Sequence, residues 1–127
     1  MDNLTIKRTQ STLEVNFNAA SGVCKLSGSS YPENSIKFFK PLINWIKQYG
    51  EKGKKGITLE FRVTYINSSS TKCILDIIEL LEGFHKKRGN MKINWYYQQD
   101  EDDLRETGEE LTRQINLPVK FIPYKGD

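Results

Sequence analysis

The chain has 127 residues and a formal net charge of +3, and 37% of its residues are hydrophobic while only 9 are glycine and 4 are proline. This length and composition indicate one compact domain over residues 1–127 and exclude the fibrous and disordered classes. The charge is too small to indicate nucleic-acid binding, and no run approaches the roughly 20 apolar residues that a bilayer-spanning helix needs.

The N-terminus and the cysteines indicate the cellular compartment. The first residues lack the basic start and apolar run of a signal peptide, so we expect a cytoplasmic protein that does not engage a membrane. Cys24 lies in a strand-like run and Cys73 on an apolar helix face. In a reducing compartment these positions predict buried structural thiols rather than a disulfide or a metal pair.

The N-terminal part predicts two strands and a helix. Residues 13–17 alternate between apolar and polar side chains, and residues 23–26 do so less regularly after a turn, which predicts an antiparallel pair. A helix start signal at 32–35 is followed by apolar residues at helical spacing. Pro41 lacks an N–H, so it either kinks this helix or marks a shorter helix beginning near Lys40.

The remaining chain alternates strands with helices. Residues 57–63 alternate strictly and predict a strand, after which apolar residues at 73–84 recur every three or four positions and predict an amphipathic helix ending near Gly89. A strand at 91–97, a helix at 104–115 and a strand at 119–122 complete the chain. This order predicts an α/β fold in which about three helices cover a mixed sheet of about five strands.

The junction between the 57–63 strand and the 73–84 helix is the strongest candidate site. Reactive groups in α/β sheets collect at the carboxyl ends of strands, and free N–H groups with the helix dipole favour an anion at a helix start. A phosphate on Ser68 could be held there, with Lys72 as a nearby cation. Ordinary helix capping by the serine and threonine hydroxyls is the simpler interpretation, and spacing alone favours it. The hydroxyl residues are Ser68, Ser69, Ser70 and Thr71.

Other patterns do not support catalysis or a cofactor. His85 is the only histidine, and without paired ligands or a nucleophile elbow neither a metal site nor a hydrolase triad can be assembled, so we predict no enzyme, no metal and no cofactor. The acids at 100–103 lack calcium-loop spacing and indicate a helix start. The aromatic residues at 95–97 indicate core packing more than base stacking.

Charge is segregated along the chain. Residues 100–110 contain seven acidic residues and one basic residue, while four lysines surround one loop with a single acid among them. Such a dipolar surface favours oriented docking of a protein, although two solvated faces that keep the protein soluble explain the pattern equally well. The lysines are Lys47, Lys52, Lys54 and Lys55.

Five ordered segments carry a family pattern. They are Ser29-Ser30-Tyr31-Pro32-Glu33-Asn34, Phe39-Lys40-Pro41-Leu42 with Trp45, Tyr65-Ile66-Asn67-Ser68-Ser69-Ser70-Thr71-Lys72, Asn94-Trp95-Tyr96-Tyr97, and Asp102-Asp103 followed by Gly108-Glu109-Glu110. On these segments the chain resembles the SiaC family of bacterial regulatory phosphoproteins along almost its whole length. The second segment contains Pro41, so the resemblance implies that this proline is either a tolerated kink or a late helix start.

The resemblance implies a single domain with a STAS-like fold, similar to the anti-sigma-factor antagonists. It implies a protein kinase of the histidine-kinase-like ATPase fold that adds a phosphate and a metal-dependent protein phosphatase that removes it. It also implies that the unphosphorylated form binds and activates a diguanylate cyclase, in c-di-GMP signalling and biofilm regulation. An anti-sigma-factor antagonist that controls a sigma factor by partner switching is the alternative.

The resemblance also assigns site residues. The phosphorylated threonine of the family corresponds to Ser68, and Ser69, Ser70 and Thr71 are alternative acceptors. Ile66 stands where the family commonly has phenylalanine, and Leu13 where it commonly has proline. The expected partner-binding residues surround the acceptor in the loops that carry the family segments. They are Tyr31, Glu33, Asn34, Tyr65, Asn67, Ser69, Ser70 and Lys72.

Overall fold

A computed structural model describes residues 1–53 and 55–125, so Lys54 of the predicted basic loop lies outside the described residues. The elements in chain order are β1 (Leu4–Ile6), β2 (Glu14–Phe17), β3 (Val23–Ser30), α1 (Ser35–Lys52), β4 (Thr58–Ile66), α2 (Ser68–Arg88), β5 (Lys92–Gln98), α3 (Asp102–Thr112) and β6 (Val119–Tyr124). The α/β class and the three helices are confirmed. The sheet has six strands, because β1 was not predicted.

The strands are ordered in the sheet as they are in the chain, from β1 to β6. β1, β2 and β3 are antiparallel, whereas β3, β4, β5 and β6 are parallel and are joined through the three helices. Right-handed crossovers in one direction along a sheet place all the helices on the same face. The burial pattern agrees, since Leu59, Phe61 and Val63 are buried while the alternating Glu60 and Arg62 lie on the other, more open face.

One hydrophobic core lies between the sheet and the helices. Trp95 of β5 is fully buried against Phe61, with ring centroids 5.1 Å apart, and its indole N–H donates to the carbonyl of Leu104 at 3.0 Å. Trp45 of α1 donates to the carbonyl of Asp2 at 2.8 Å and so fixes the N-terminal segment that carries β1. The two tryptophans connect the N-terminal segment and α3 to one core.

α1 continues through Pro41, so the prediction of a shorter helix beginning near Lys40 is wrong. Proline has no N–H, which leaves one helical acceptor, the carbonyl of Lys37, without its usual donor. Lys37 is exposed, and water can supply the missing hydrogen bond. A proline on the outer side of this helix is therefore tolerated.

Both cysteines are free and buried, as predicted. Burial raises the pKa of the Cys24 thiol. Burial also raises the pKa of Cys73, and the nearby Asp76 carboxylate adds to this effect while Lys72 opposes it. Both thiols therefore stay protonated and unreactive at neutral pH. Among the helices of the described residues, none has the length and apolar character needed to cross a membrane.

Candidate functional site

Two helix starts lie side by side at one end of the sheet. β3 and β4 are parallel, and the pairing of Ser30 with Ile66 brings their carboxyl ends together. Asn34 then caps α1 and Asn67 caps α2, because each Oδ1 accepts a hydrogen bond from the backbone N–H three residues later, at 3.0 and 2.9 Å. The caps begin both helices shortly after the strands; the start signal at 32–35 predicts the first, whereas Asn67 rather than the predicted hydroxyls caps the second.

Ser68 is the first residue of α2, and its side chain is exposed. Its hydroxyl makes no hydrogen bond with any residue in 1–53 or 55–125. The first backbone N–H groups of a helix lack intrahelical partners, and the helix dipole is positive at this end. Lys72, one turn further along α2, is also exposed. A negative group on the Ser68 oxygen would therefore meet backbone donors and a cation.

The next three hydroxyls are engaged in the fold. Ser70 is fully buried, and its Oγ lies 2.7 Å from the Oγ of Ser30 and donates to the Ser30 carbonyl at 3.2 Å. The Oγ of Ser69 lies 2.7 Å from the Oγ of Ser35 in α1. Thr71 donates to the carbonyl of the N-cap residue at 2.9 Å. Of the four hydroxyls, only that of Ser68 is both exposed and unengaged within the described chain.

The predicted partner-binding residues other than Ser70 lie at or near the surface around this junction. Tyr31 is 42% exposed and Tyr65 is 53% exposed, and their rings meet edge to face with centroids 5.9 Å apart. Glu33, Asn34 and Lys72 are also exposed. Large aromatic side chains in solvent are typical of protein-binding surfaces, particularly when polar residues surround them.

Three residues of the junction were not predicted as part of the site. Ser30 and Ser35 are buried and connect β3 and α1 to the start of α2 through their hydroxyls. Ile36, in the first turn of α1, is 76% exposed and is the most exposed large hydrophobic residue of the described chain. The only signal in the sequence that could have indicated its exposure is its position outside the main apolar stripe of α1.

The other candidate sites have structural explanations. Trp95 and Tyr97 are buried, which confirms the core interpretation, while the Arg62 guanidinium lies 4.6 Å from the Tyr96 ring centroid on the open face. His85 accepts a hydrogen bond from a backbone N–H at 3.2 Å through Nδ1. α3 begins at the predicted acidic segment. Within residues 1–53 and 55–125, no group of three or more histidine, cysteine or carboxylate side chains could hold a metal ion.

Comparisons with known proteins identify the family. A model described as "SiaC family regulatory phosphoprotein" matches residues 6–124. An uncharacterized protein of Pseudomonas aeruginosa (strain UCBPP-PA14) is 32% identical over 118 residues, which are 93% of this chain and 94% of that protein.

Solved structures agree with the sequence match. The crystal structure of apo-SiaC from Pseudomonas aeruginosa has a TM-score of 0.90 and 32% identity, covering 96% of this chain and 99% of its own. SiaC in the crystal structure of the diguanylate cyclase SiaD with its activator SiaC, from the same species, has a TM-score of 0.92 and 30% identity, covering 95% and 99%. The family consists of regulatory proteins, which confirms the prediction that the chain is not an enzyme. With the family match over nearly its whole length, the chain belongs to the SiaC family of regulatory phosphoproteins.

Proposed function

We propose that this chain is a phosphorylation-controlled switch whose unphosphorylated form binds and activates a diguanylate cyclase in the bacterial cytoplasm. Ser68 is the phosphoacceptor in this proposal. The observation that carries it is the exposed, unengaged Ser68 hydroxyl at the start of α2, beside the exposed Tyr31–Tyr65 pair, in a member of a regulatory phosphoprotein family. The relative in the complex structure activates a diguanylate cyclase, which supports the choice of partner.

The phosphate acts through charge at a docking surface. It adds about −1.5 to −2 charges and three strong acceptor oxygens at neutral pH. Backbone N–H groups of α2 and the ammonium of Lys72 are placed to hold those oxygens beside the aromatic pair. A cyclase that packs on Tyr31 and Tyr65 would then have to bury or approach this charge, and the cost of doing so lowers its affinity.

The hydrogen bonds of the junction favour Ser68 over its neighbours. A kinase reaching Ser70 would have to open the β3–α2 contact, because that hydroxyl is buried between strand and helix. Modifying Ser69 would break its hydrogen bond to Ser35, and modifying Thr71 would break its bond to the cap residue. Ser68 can accept a phosphate without disturbing the fold.

The proposal includes two further enzymes, which rest on the family resemblance. A protein kinase of the histidine-kinase-like ATPase fold adds the phosphate to Ser68, and a metal-dependent protein phosphatase removes it. The switch itself uses no metal, cofactor, nucleic acid or membrane. The alternative function is that the same phosphorylation controls a sigma factor by partner switching. Direct binding measurements with the purified cyclase and with a purified anti-sigma factor distinguish the two functions.

The decisive experiment measures cyclase activation by defined phosphoforms. Phosphoserine is installed genetically at position 68, and c-di-GMP synthesis from GTP by the purified cognate cyclase is measured with each form. The wild type and Ser68→Ala should both activate, and the phosphorylated form should not. Phosphoserine at Ser21, an exposed turn residue before the start of β3 and so at the other end of that strand, is the matched control and should leave activation intact.

Two outcomes would contradict the proposal. Full activation by the protein that carries phosphoserine at position 68 would eliminate the charge gate at Ser68. Failure of the unphosphorylated wild type to bind or activate the cyclase would eliminate the cyclase as the partner.

A further inference from the structure

A stripe of α1 extends from the phosphoacceptor junction along the outside of the molecule. Ile36, Lys40, Ile43 and Lys47 recur every three or four residues and therefore lie on one side of the helix, beside the buried face formed by the core residues of α1. Ile36 follows Ser35, whose hydroxyl bonds Ser69 at the start of α2. The stripe is thus continuous with the surface around Ser68.

The stripe forms one wall of a groove between α1 and α2. The groove has a volume of about 360 Å³, and Cys73 and Asp76 of α2 form the opposite wall. Its apolar surface comes from Ile36, Ile43 and the side of Cys73. The rims are polar, and Lys40 and Lys47 are exposed along the α1 rim.

The charges around the groove indicate the chemistry of its occupant. Lys40 and Lys47 line the groove, Lys37 of α1 and Lys72 of α2 are also exposed, and Asp76 is the only acid among the lining residues. A groove with apolar walls and a mainly cationic rim matches a segment that inserts an apolar side chain and carries carboxylates beside it.

We infer that this groove binds an acidic segment of the diguanylate cyclase that places an apolar side chain against Ile36 and Ile43. The inference rests on the proposed function and adds the second part of the docking surface. It also gives the phosphate a specific target, because a negative charge at Ser68 repels the carboxylates of the segment that lie nearest the start of α2, whereas salt screens its effect at the far end of the groove.

Charge reversal along the rim tests the inference. The affinity of the unphosphorylated protein for the purified cognate cyclase is measured at low and high salt for the double variant Lys40→Glu/Lys47→Glu. We expect a loss of about tenfold or more at low salt and a smaller difference from wild type at high salt. The matched control is Lys86→Glu/Lys87→Glu in the last turn of α2, which carries two exposed lysines at the other end of that helix. It should change affinity by about twofold or less.

A second variant tests the apolar contact. Ile36→Ala shortens an exposed side chain without affecting the core, so its melting temperature should equal that of the wild type while its affinity falls severalfold. Circular dichroism of every variant verifies that the fold is intact.

The outcomes separate this inference from the proposed function. Wild-type affinity in both groove variants, together with loss of binding on phosphorylation of Ser68, would overturn the groove and keep the switch. Equal losses in the Lys86/Lys87 control would show a nonspecific charge effect and would also overturn it. Groove variants that change the sedimentation of the protein alone, but not its affinity for the cyclase, would assign the groove to a second copy of the chain instead. Absence of any wild-type binding would overturn both proposals.

Discussion

Each hydroxyl from Ser68 to Thr71 meets a different environment, although the four residues are adjacent and chemically alike. Ser68 faces solvent, Ser69 contacts Ser35 in α1, and Ser70 is enclosed by β3. The sequence locates the junction, because the change from strand to helix periodicity and the run of hydroxyl residues are local signals, although the cap itself is Asn67. It does not separate the hydroxyls, since the partners of Ser69 and Ser70 are contributed by residues 34 and 40 positions away.

The buried and the exposed serine should differ in their effect on stability. Ser70→Ala leaves the Ser30 hydroxyl without its 2.7 Å partner inside the protein, which should lower the free energy of unfolding by about 1–3 kcal/mol. Ser68→Ala is the matched control and should change it by less than about 0.5 kcal/mol. Urea unfolding followed by circular dichroism measures both. Equal effects of the two substitutions would contradict the hydrogen-bond assignment.

The pH dependence of alkylation tests whether the two thiols are buried. Because burial raises the pKa of Cys24 and Cys73, the fraction of each thiol present as reactive thiolate at pH 8 is smaller in the folded protein than in the unfolded chain. Alkylation by iodoacetamide should therefore be slow in buffer and fast in urea, and raising the pH should accelerate the reaction of the folded protein. Mass spectrometry counts the modified thiols. Rapid labelling of the folded protein at neutral pH would contradict this prediction.

At the scale of elements, the long periodic segments are predictable and the short ones are not. Helical spacing predicts α1 and α2, and strict alternation predicts β4, because each segment extends over enough residues to show its period. β1 has three residues, too few for any period, and it is held by pairing with β2 rather than by its own propensity. The exposure of Ile36 is not predictable from the sequence for a related reason, since it depends on how much of α1 the neighbouring helix α2 covers.

Two helical glycines should respond to alanine in opposite directions. A Cβ on Gly108 of α3 would lie 2.6 Å from the ring of Trp95, which is fully buried and cannot move aside, so Gly108→Ala should destabilise the protein by about 1–3 kcal/mol. A Cβ on Gly83 of α2 would meet nothing within 4 Å, so Gly83→Ala should stabilise it by about 0.5–1 kcal/mol. Thermal unfolding measures both, and a stabilising Gly108→Ala would contradict the close packing of α3 on β5.

For the whole molecule, the continuous core predicts one cooperative transition. Trp45 reports on α1 and Trp95 on β5, and both belong to the same cluster of buried side chains. Tryptophan fluorescence and far-ultraviolet circular dichroism should therefore give the same urea midpoint, as expected for a small two-state domain. The single-tryptophan variants Trp45→Phe and Trp95→Phe show whether a fluorescence change comes from α1 or from β5. Different urea midpoints from fluorescence and circular dichroism within one variant would indicate that α1 and β5 unfold independently.

The sequential order of the sheet has a consequence for biosynthesis. Because each strand pairs with the strand before it, a chain emerging from the ribosome can extend the sheet at one growing edge without waiting for a distant segment. Ser30 and Ser35, whose hydroxyls bond those of Ser70 and Ser69 at the start of α2, are translated before Ser68. The junction that presents Ser68 can therefore assemble while β5, α3 and β6 are still being synthesised, so a nascent chain exposes the Ser68 hydroxyl before its last strand exists.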